Sequence, residues 1–243
     1  MFFPVRDENP SGTFPLVTVA LIVANVLVFL YEKSLGESAS AFILTYGVVP
    51  ARVIGSGAAV PPGGAGAYFP FLTAMFLHGG FWHLAGNMWL LWLAGDNIED
   101  RIGHGAFILF YLVAGVAASA AHVMLSGPTP VPMIGASGAI AGVLGAYLVC
   151  FPRAKVVMFV WVFILVTFIR IPASILIGLW LAGQILSAMM SDPAAPGIAW
   201  WAHIGGFAAG AVLILFWPKR KAMRQSKYQA MPDRWRERRR AGL

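Results

Sequence analysis

Residues 200–217 read WWAHIGGFAAGAVLILFW. Every side chain in this run except His203 is apolar or very small, and its length approaches the ~20 residues with which a helix crosses the hydrocarbon of a bilayer. Gly206 and Gly210 follow His203 at i+3 and i+7, so all three share one helical face. A stripe of small residues lets a membrane helix approach a neighbour closely. A polar side chain inside a span is costly, faces the bundle interior and as a rule serves a function. The stretch therefore reads as a membrane helix pressed against a partner, with one imidazole held near its start.

The rest of the chain agrees that lipid is the solvent. Of 243 residues 59% are hydrophobic and only 11% charged, about half the charged share of a soluble domain. The mean hydropathy is +0.75, and one soluble core could not hide so much apolar surface. Spans are expected at 15–31, 82–98, 105–125, 136–151, 172–190 and 200–217. A further apolar run, VVMFVWVFILVTFI at 156–169, is too short to cross. We read it as a re-entrant or interfacial segment that dips into the inner leaflet. The outer loop 32–81 is the longest connection and holds SGAAVPPGGAGA followed by YFPFLTAMFLHGG, an apolar run expected to lie partly in the outer leaflet.

Charge sets the orientation. Ten of the 17 Lys and Arg lie beyond Trp217. With six spans, Arg6, Arg101, Arg153, Lys155, Arg170 and this tail face inward, leaving only Lys33 and Arg52 outside, as the positive-inside rule requires. A seventh span at 156–169 would reverse Arg170 and the tail. The net charge of +7 thus belongs to a basic arm suited to anionic lipid headgroups, not to a nucleic-acid face. The expected organisation is an inner N-terminal segment at 1–14, one membrane domain at 15–217 and a basic inner tail at 218–243. The N-terminus lacks the pattern of a cleaved signal peptide. A single cysteine, Cys150, excludes an intrachain disulfide.

Four polar residues stand at the starts of spans. His83 and Asn87, four apart in HLAGN, share a face of the second. Ser137 opens the fourth in GASGA, and His203 opens the sixth. In the six-span topology these three spans all run from outside to inside, so the four side chains meet at one depth below the outer surface. A serine hydroxyl needs an adjacent base to act as nucleophile, and an imidazole, with an unperturbed pKa near ~6.5, is suited to that task. The free N–H groups and the dipole at the start of the fourth helix favour a developing oxyanion, and the Asn87 amide and a His83 ring N–H can add donors. No Asp or Glu stands at the outer end of these spans, so a Ser–His dyad is expected. Gly138, Gly142 and Gly145 give the fourth span a small-residue surface to match Gly206 and Gly210.

Each signal has a plainer reading. GASGA alone is ordinary helix packing, and it is not the G-x-S-x-G elbow, because Ala139 replaces the last glycine and no strand precedes it. His78, His83 and His203 could together hold zinc, but Asn87 and Ser137 would then have no task. His104 and His122 join no constellation and are read as structural. Asp96, Glu99 and Asp100, at the inner end of the second span, are read as capping or loop-packing groups.

Taken together the motifs resemble the rhomboid family of intramembrane serine proteases over about residues 70–215. The resemblance rests on H-x(4)-H-x(3)-N at His78, His83 and Asn87, G-x-S-G at Gly135 to Gly138, and A-H-x-x-G-x-x-x-G at Ala202 to Gly210, with GDNIEDRIG between the second and third spans. It implies an all-α six-helix bundle with a membrane-embedded first outer loop. It implies Ser137 as nucleophile, His203 as general base, and His83, Asn87 and the Ser137 N–H as oxyanion donors. His78, Gly135, Gly138, Gly142, Gly206 and Gly210 would support them by packing. It further implies substrates that are single-span transmembrane proteins cut near the outer face, no metal, no cofactor, and a gate at the fifth span. The expected setting is a bacterial inner membrane with both termini cytoplasmic.

Two positions depart from the family pattern. Phe69-Pro70 stands where many members carry Trp-Arg, and Ala141 stands where many place an aromatic ring under the catalytic histidine. A non-catalytic binding or quality-control member is the alternative function, although such a protein would normally lack the serine or the histidine. A transporter would need carboxylates at the span centres, which are missing here.

Overall fold

The structure is a computed structural model that describes residues 2–55, 64–191 and 198–217. The basic tail at 218–243 and the stretches 56–63 and 192–197 lie outside the described residues. Six long helices coincide with the six expected runs: α1 (Leu16–Ser34), α5 (Phe81–Ile102), α6 (His104–Ser126), α7 (Ser137–Cys150), α8 (Ala173–Met190) and α9 (Trp200–Phe216). By length and composition α1, α6 and α8 can each cross a membrane. The helices α7 and α9 are apolar but shorter, and α5 ends in the charged run Asp96 to Arg101. Between α1 and α5 the chain forms α2 (Ala39–Tyr46), α3 (Pro50–Ile54) and α4 (Pro70–Thr73). The apolar run of the first loop becomes the short helical stretch Gly66–Phe76, with Ala74 and Met75 buried and Tyr68, Phe69 and Leu72 exposed.

The expectation of an all-α fold needs one correction. Residues 156–169, expected as a re-entrant or interfacial segment, form a β-hairpin. Strand β2 (Lys155–Val162) pairs antiparallel with β3 (Leu165–Pro172), and the N-terminal β1 (Phe2–Asp7) adds to β2, giving the order β1-β2-β3. The run is rich in Val, Ile and Phe, which suit a strand. The turn carries no Gly or Asn to announce it. Val162 pairs with Leu165, and Phe163 takes the left-handed φ of 53° that such a tight turn needs. Val156, Met158 and Val160 face the core, whereas the tip at Phe163 and Ile164 is exposed.

The core joins helices and sheet, with Leu91, Ile98, Phe107, Phe110, Tyr111 and Ile140 fully buried. Glycine sets the closest packing. A Cβ on Gly206 would overlap the Gly138 carbonyl oxygen, one on Gly210 the Gly142 carbonyl oxygen, and one on Gly145 the Phe207 carbonyl oxygen. Helices α7 and α9 thus touch backbone to backbone, the close approach expected of small-residue faces. On their other side, Cβ atoms on Gly138 and Gly142 would lie 2.7 Å from Ala118 and 2.6 Å from Ala114 of α6.

The two ends of α1 are tied to α5 and the loop before it. Glu99, fully buried, accepts hydrogen bonds from the N–H groups of Val17 and Thr18, both at 2.8 Å, and from the Thr18 hydroxyl at 2.7 Å. A carboxylate from α5 therefore caps the otherwise unpaired first turn of α1 and meets its dipole. Nearby, Asp100 accepts from Gly12 N–H and the Thr13 hydroxyl. At the far end of α1, Glu32 accepts the His78 N–H at 3.2 Å. The acidic cluster Asp96 to Asp100 thus includes the capping groups expected of it. The expectation did not extend to their partner, the N-terminus of α1.

Candidate active site

The starts of α5, α7 and α9 gather at one end of the bundle. Ser137 is the first residue of α7 and His203 lies in the first turn of α9. The backbone contact of these two helices brings Ser137 Oγ to 2.7 Å from His203 Nε2. A hydroxyl that donates to a bare imidazole nitrogen is the arrangement a nucleophile and its base require.

Gly135, two residues before the serine, has φ = 122°, a value that favours glycine. It also needs to lack a side chain. A Cβ there would fall 2.8 Å from His83 Nε2 and 3.6 Å from Ser137 Oγ. His83 of α5 therefore lies over the peptide that leads into Ser137. The strand-like entry to α7 is held by Gly135 N–H donating to Ala74 O at 2.8 Å and by the Val48–Met133 bridge. Both partners belong to the first loop, so that loop helps to fix the serine.

Asn87, one turn below His83, is 5% exposed, and its side-chain nitrogen has no hydrogen-bond partner among the described residues. A buried donor left unpaired is unusual and needs an explanation. His78 is fully buried, its ring edge-on to His83 with centroids 5.1 Å apart. The remaining histidines have other hydrogen-bond partners. His104 Nδ1 meets Glu99, and His122 Nδ1 meets Ser126 Oγ at 2.8 Å.

Sequence reasoning missed one residue of this constellation. Gln184 of α8 places its Oε1 2.5 Å from His203 Nδ1. It is 9% exposed, and it is the only amide in the run ASILIGLWLAGQILSAMM. An isolated polar group in an apolar span was the signal. The aromatic neighbours of His203 are Trp180 of α8 and Trp200, with centroids at 6.1 and 6.2 Å. Trp200 stands edge-on to the imidazole. Ala141 itself is buried in the core.

The sequence profile of the Rhomboid domain matches residues 65–220. The chain is 35% identical over 141 residues to "Rhomboid protease GluP" of Bacillus subtilis, a match covering 58% of this chain and 25% of that protein. It is 31% identical over 180 residues to "Rhomboid protein 1, mitochondrial" of Saccharomyces cerevisiae, covering 68% of this chain and 46% of that one. It is 31% identical over 162 residues to the mitochondrial presenilin-associated rhomboid-like protein of Mus musculus, covering 63% and 41%. The chain thus spans less than half the length of these curated relatives, which include bacterial and mitochondrial proteins.

Proposed function

The chain belongs to the rhomboid family, and from that premise we propose that it is an intramembrane serine endopeptidase with Ser137 as nucleophile and His203 as general base. The observation that carries this reading is the 2.7 Å approach of Ser137 Oγ to His203 Nε2 at the common end of α5, α7 and α9. In this reading α1, α5, α6, α7, α8 and α9 are six spans of a membrane domain at 15–217, and both termini lie on the inner, cytoplasmic side. The site then opens to the outer side, just below the surface. The setting is a bacterial inner membrane.

The chemistry follows from the atoms. The Ser137 oxygen attacks a backbone carbonyl carbon of the substrate while its proton passes to His203 Nε2. The carbonyl oxygen becomes an oxyanion, met by the Ser137 N–H at the start of α7, by His83 over Gly135 and by the unpaired Asn87 amide. Collapse of the intermediate breaks the C–N bond. The departing amine takes the proton from His203, leaving an acyl group on Ser137. A water molecule, deprotonated by the same imidazole, then frees the new carboxylate and restores the serine. His78, Gly135, Gly138, Gly142, Gly206 and Gly210 act by packing.

The substrate class is a single-span protein whose helix unwinds near the outer face, because a regular helix shields its carbonyls from attack. Purified protein in liposomes with a model single-span substrate tests the proposal. Cleavage is expected from the wild type and is lost in Ser137→Ala and His203→Ala. Cleavage that persists in either variant would overturn it.

A further inference from the structure

Gln184 is a buried amide on a helix otherwise made of apolar and small residues plus serine, and its one hydrogen bond to a described side chain is to His203. A buried amide costs stability unless its polar atoms are paired.

The chemistry of the contact is directional. An amide oxygen has lone pairs and no hydrogen, so Oε1 can only accept. With Oε1 2.5 Å from His203 Nδ1, the proton of the neutral ring must sit on Nδ1. Nε2 is then bare, and it is the atom that faces Ser137 Oγ at 2.7 Å. One hydrogen bond thus selects the tautomer that can receive the serine proton and fixes the plane of the ring. Were the amide turned about, its NH₂ would donate to Nδ1, put the ring proton on Nε2 and aim it at the serine, disarming the base. Which nitrogen of a histidine is protonated is set by the bond that the other one makes. In Ser–His–Asp sites a carboxylate has this task. Trp180 and Trp200 can limit how the ring tilts, but an aromatic neighbour more than 6 Å away cannot choose between tautomers.

We propose that Gln184 is the positioning residue of His203, a neutral third member that holds the imidazole in its Nδ1–H form facing Ser137. The proposal rests on the protease reading given above. It also answers what orients His203 when Ala141 offers no ring beneath it.

The test compares Gln184→Met with Gln184→Glu in the full chain, reconstituted in liposomes with a single-span substrate. Methionine keeps the length and fills the space but has no comparable acceptor. Glutamate keeps acceptor oxygens at the same reach. Positioning predicts that Gln184→Met lowers kcat by about 10- to 100-fold, a part of the ~10²–10⁴ that a general base contributes, with KM within about twofold. Gln184→Glu then stays within a few-fold of wild type. The rate at which a fluorophosphonate labels Ser137 follows the same order.

A packing role predicts the reverse, with methionine tolerated and glutamate not, and that result overturns the proposal. So does equal activity in the two variants. Should Gln184→Met fail to fold by thermal unfolding, Gln184→Glu decides: folded and active supports the role, folded and inactive overturns it. Wild-type protein that neither labels at Ser137 nor cleaves would sink the protease reading itself, a failure distinct from any difference between the variants.

Discussion

The carbonyl oxygen of Gly142 occupies the space that a methyl group on Gly210 would need. The same relation links Gly138 to Gly206 one turn closer to the site. Because the obstructing atoms are backbone, they cannot rotate away, and a side chain at either glycine must push α9 from α7. That motion also separates Ser137 from His203, since each stands at the start of one of these helices.

Gly210→Ala is therefore expected to destabilise the protein by about 1–3 kcal/mol, the usual cost of overpacking, and to lower fluorophosphonate labelling of Ser137. Gly178→Ala on α8 is the control, since a Cβ there meets nothing within 4 Å and alanine suits a helix better. A thermal unfolding series with labelling at each variant checks both. Equal midpoints for the two variants would contradict the close packing of α7 on α9.

Glu99→Ala should be more damaging than its place near a loop suggests. It would strip the acceptor from Val17 N–H, Thr18 N–H and the Thr18 hydroxyl in a buried setting. Each orphaned donor costs about 1–3 kcal/mol. Glu99→Gln keeps an acceptor oxygen and is expected to lose less. Proteolysis near residues 12–18 after mild heating should report the loosening of the α1 start, and an unchanged pattern in Glu99→Ala would rule the cap out.

The helices were legible in the sequence because each is a long apolar run bounded by glycine, proline or charge. Ser137, His83, Asn87 and His203 were legible because polar groups are conspicuous in apolar helices. Two features were not read. The strands at 155–172 were missed because a short apolar run has no period that separates strand from membrane segment, and the turn at Phe163 carries no glycine. Gln184 was missed because it stands mid-helix in α8, away from the span starts where the other site residues stand. Only the packing of α8 on α9 brings it to His203.

Asn87 separates function from stability. Its side-chain nitrogen is buried without a partner among the described residues, so Asn87→Ala removes no nitrogen-donated bond to them. The unfolding midpoint should shift little. On the proposed mechanism the same change removes an oxyanion donor, and kcat should fall by about 10²–10³-fold with KM nearly constant. A large loss of stability with kcat retained would assign Asn87 to the scaffold instead.

Asp7 gives the sheet a pH dependence that can be read with its sign. Burial pushes its carboxyl above the usual value of 3.8, outweighing the hydrogen bonds it accepts from Tyr147 and Asn97. A carboxyl with a raised value in the folded state binds its proton more tightly there than in the unfolded chain. Its contribution to stability is therefore fully present below the unfolded pKa of about 3.9. It is lost as pH rises through the folded value, with a slope of at most about 1.4 kcal/mol per pH unit for one proton. Asp7→Asn keeps a side-chain oxygen for Tyr147 and does not titrate. The unfolding midpoint of the wild type, measured against that of Asp7→Asn, should fall as the pH is raised from about 4 and level off once Asp7 is ionised. A difference that stays flat across this range, or that grows in favour of the wild type, would show that the hydrogen bonds from Tyr147 and Asn97 dominate the burial of Asp7.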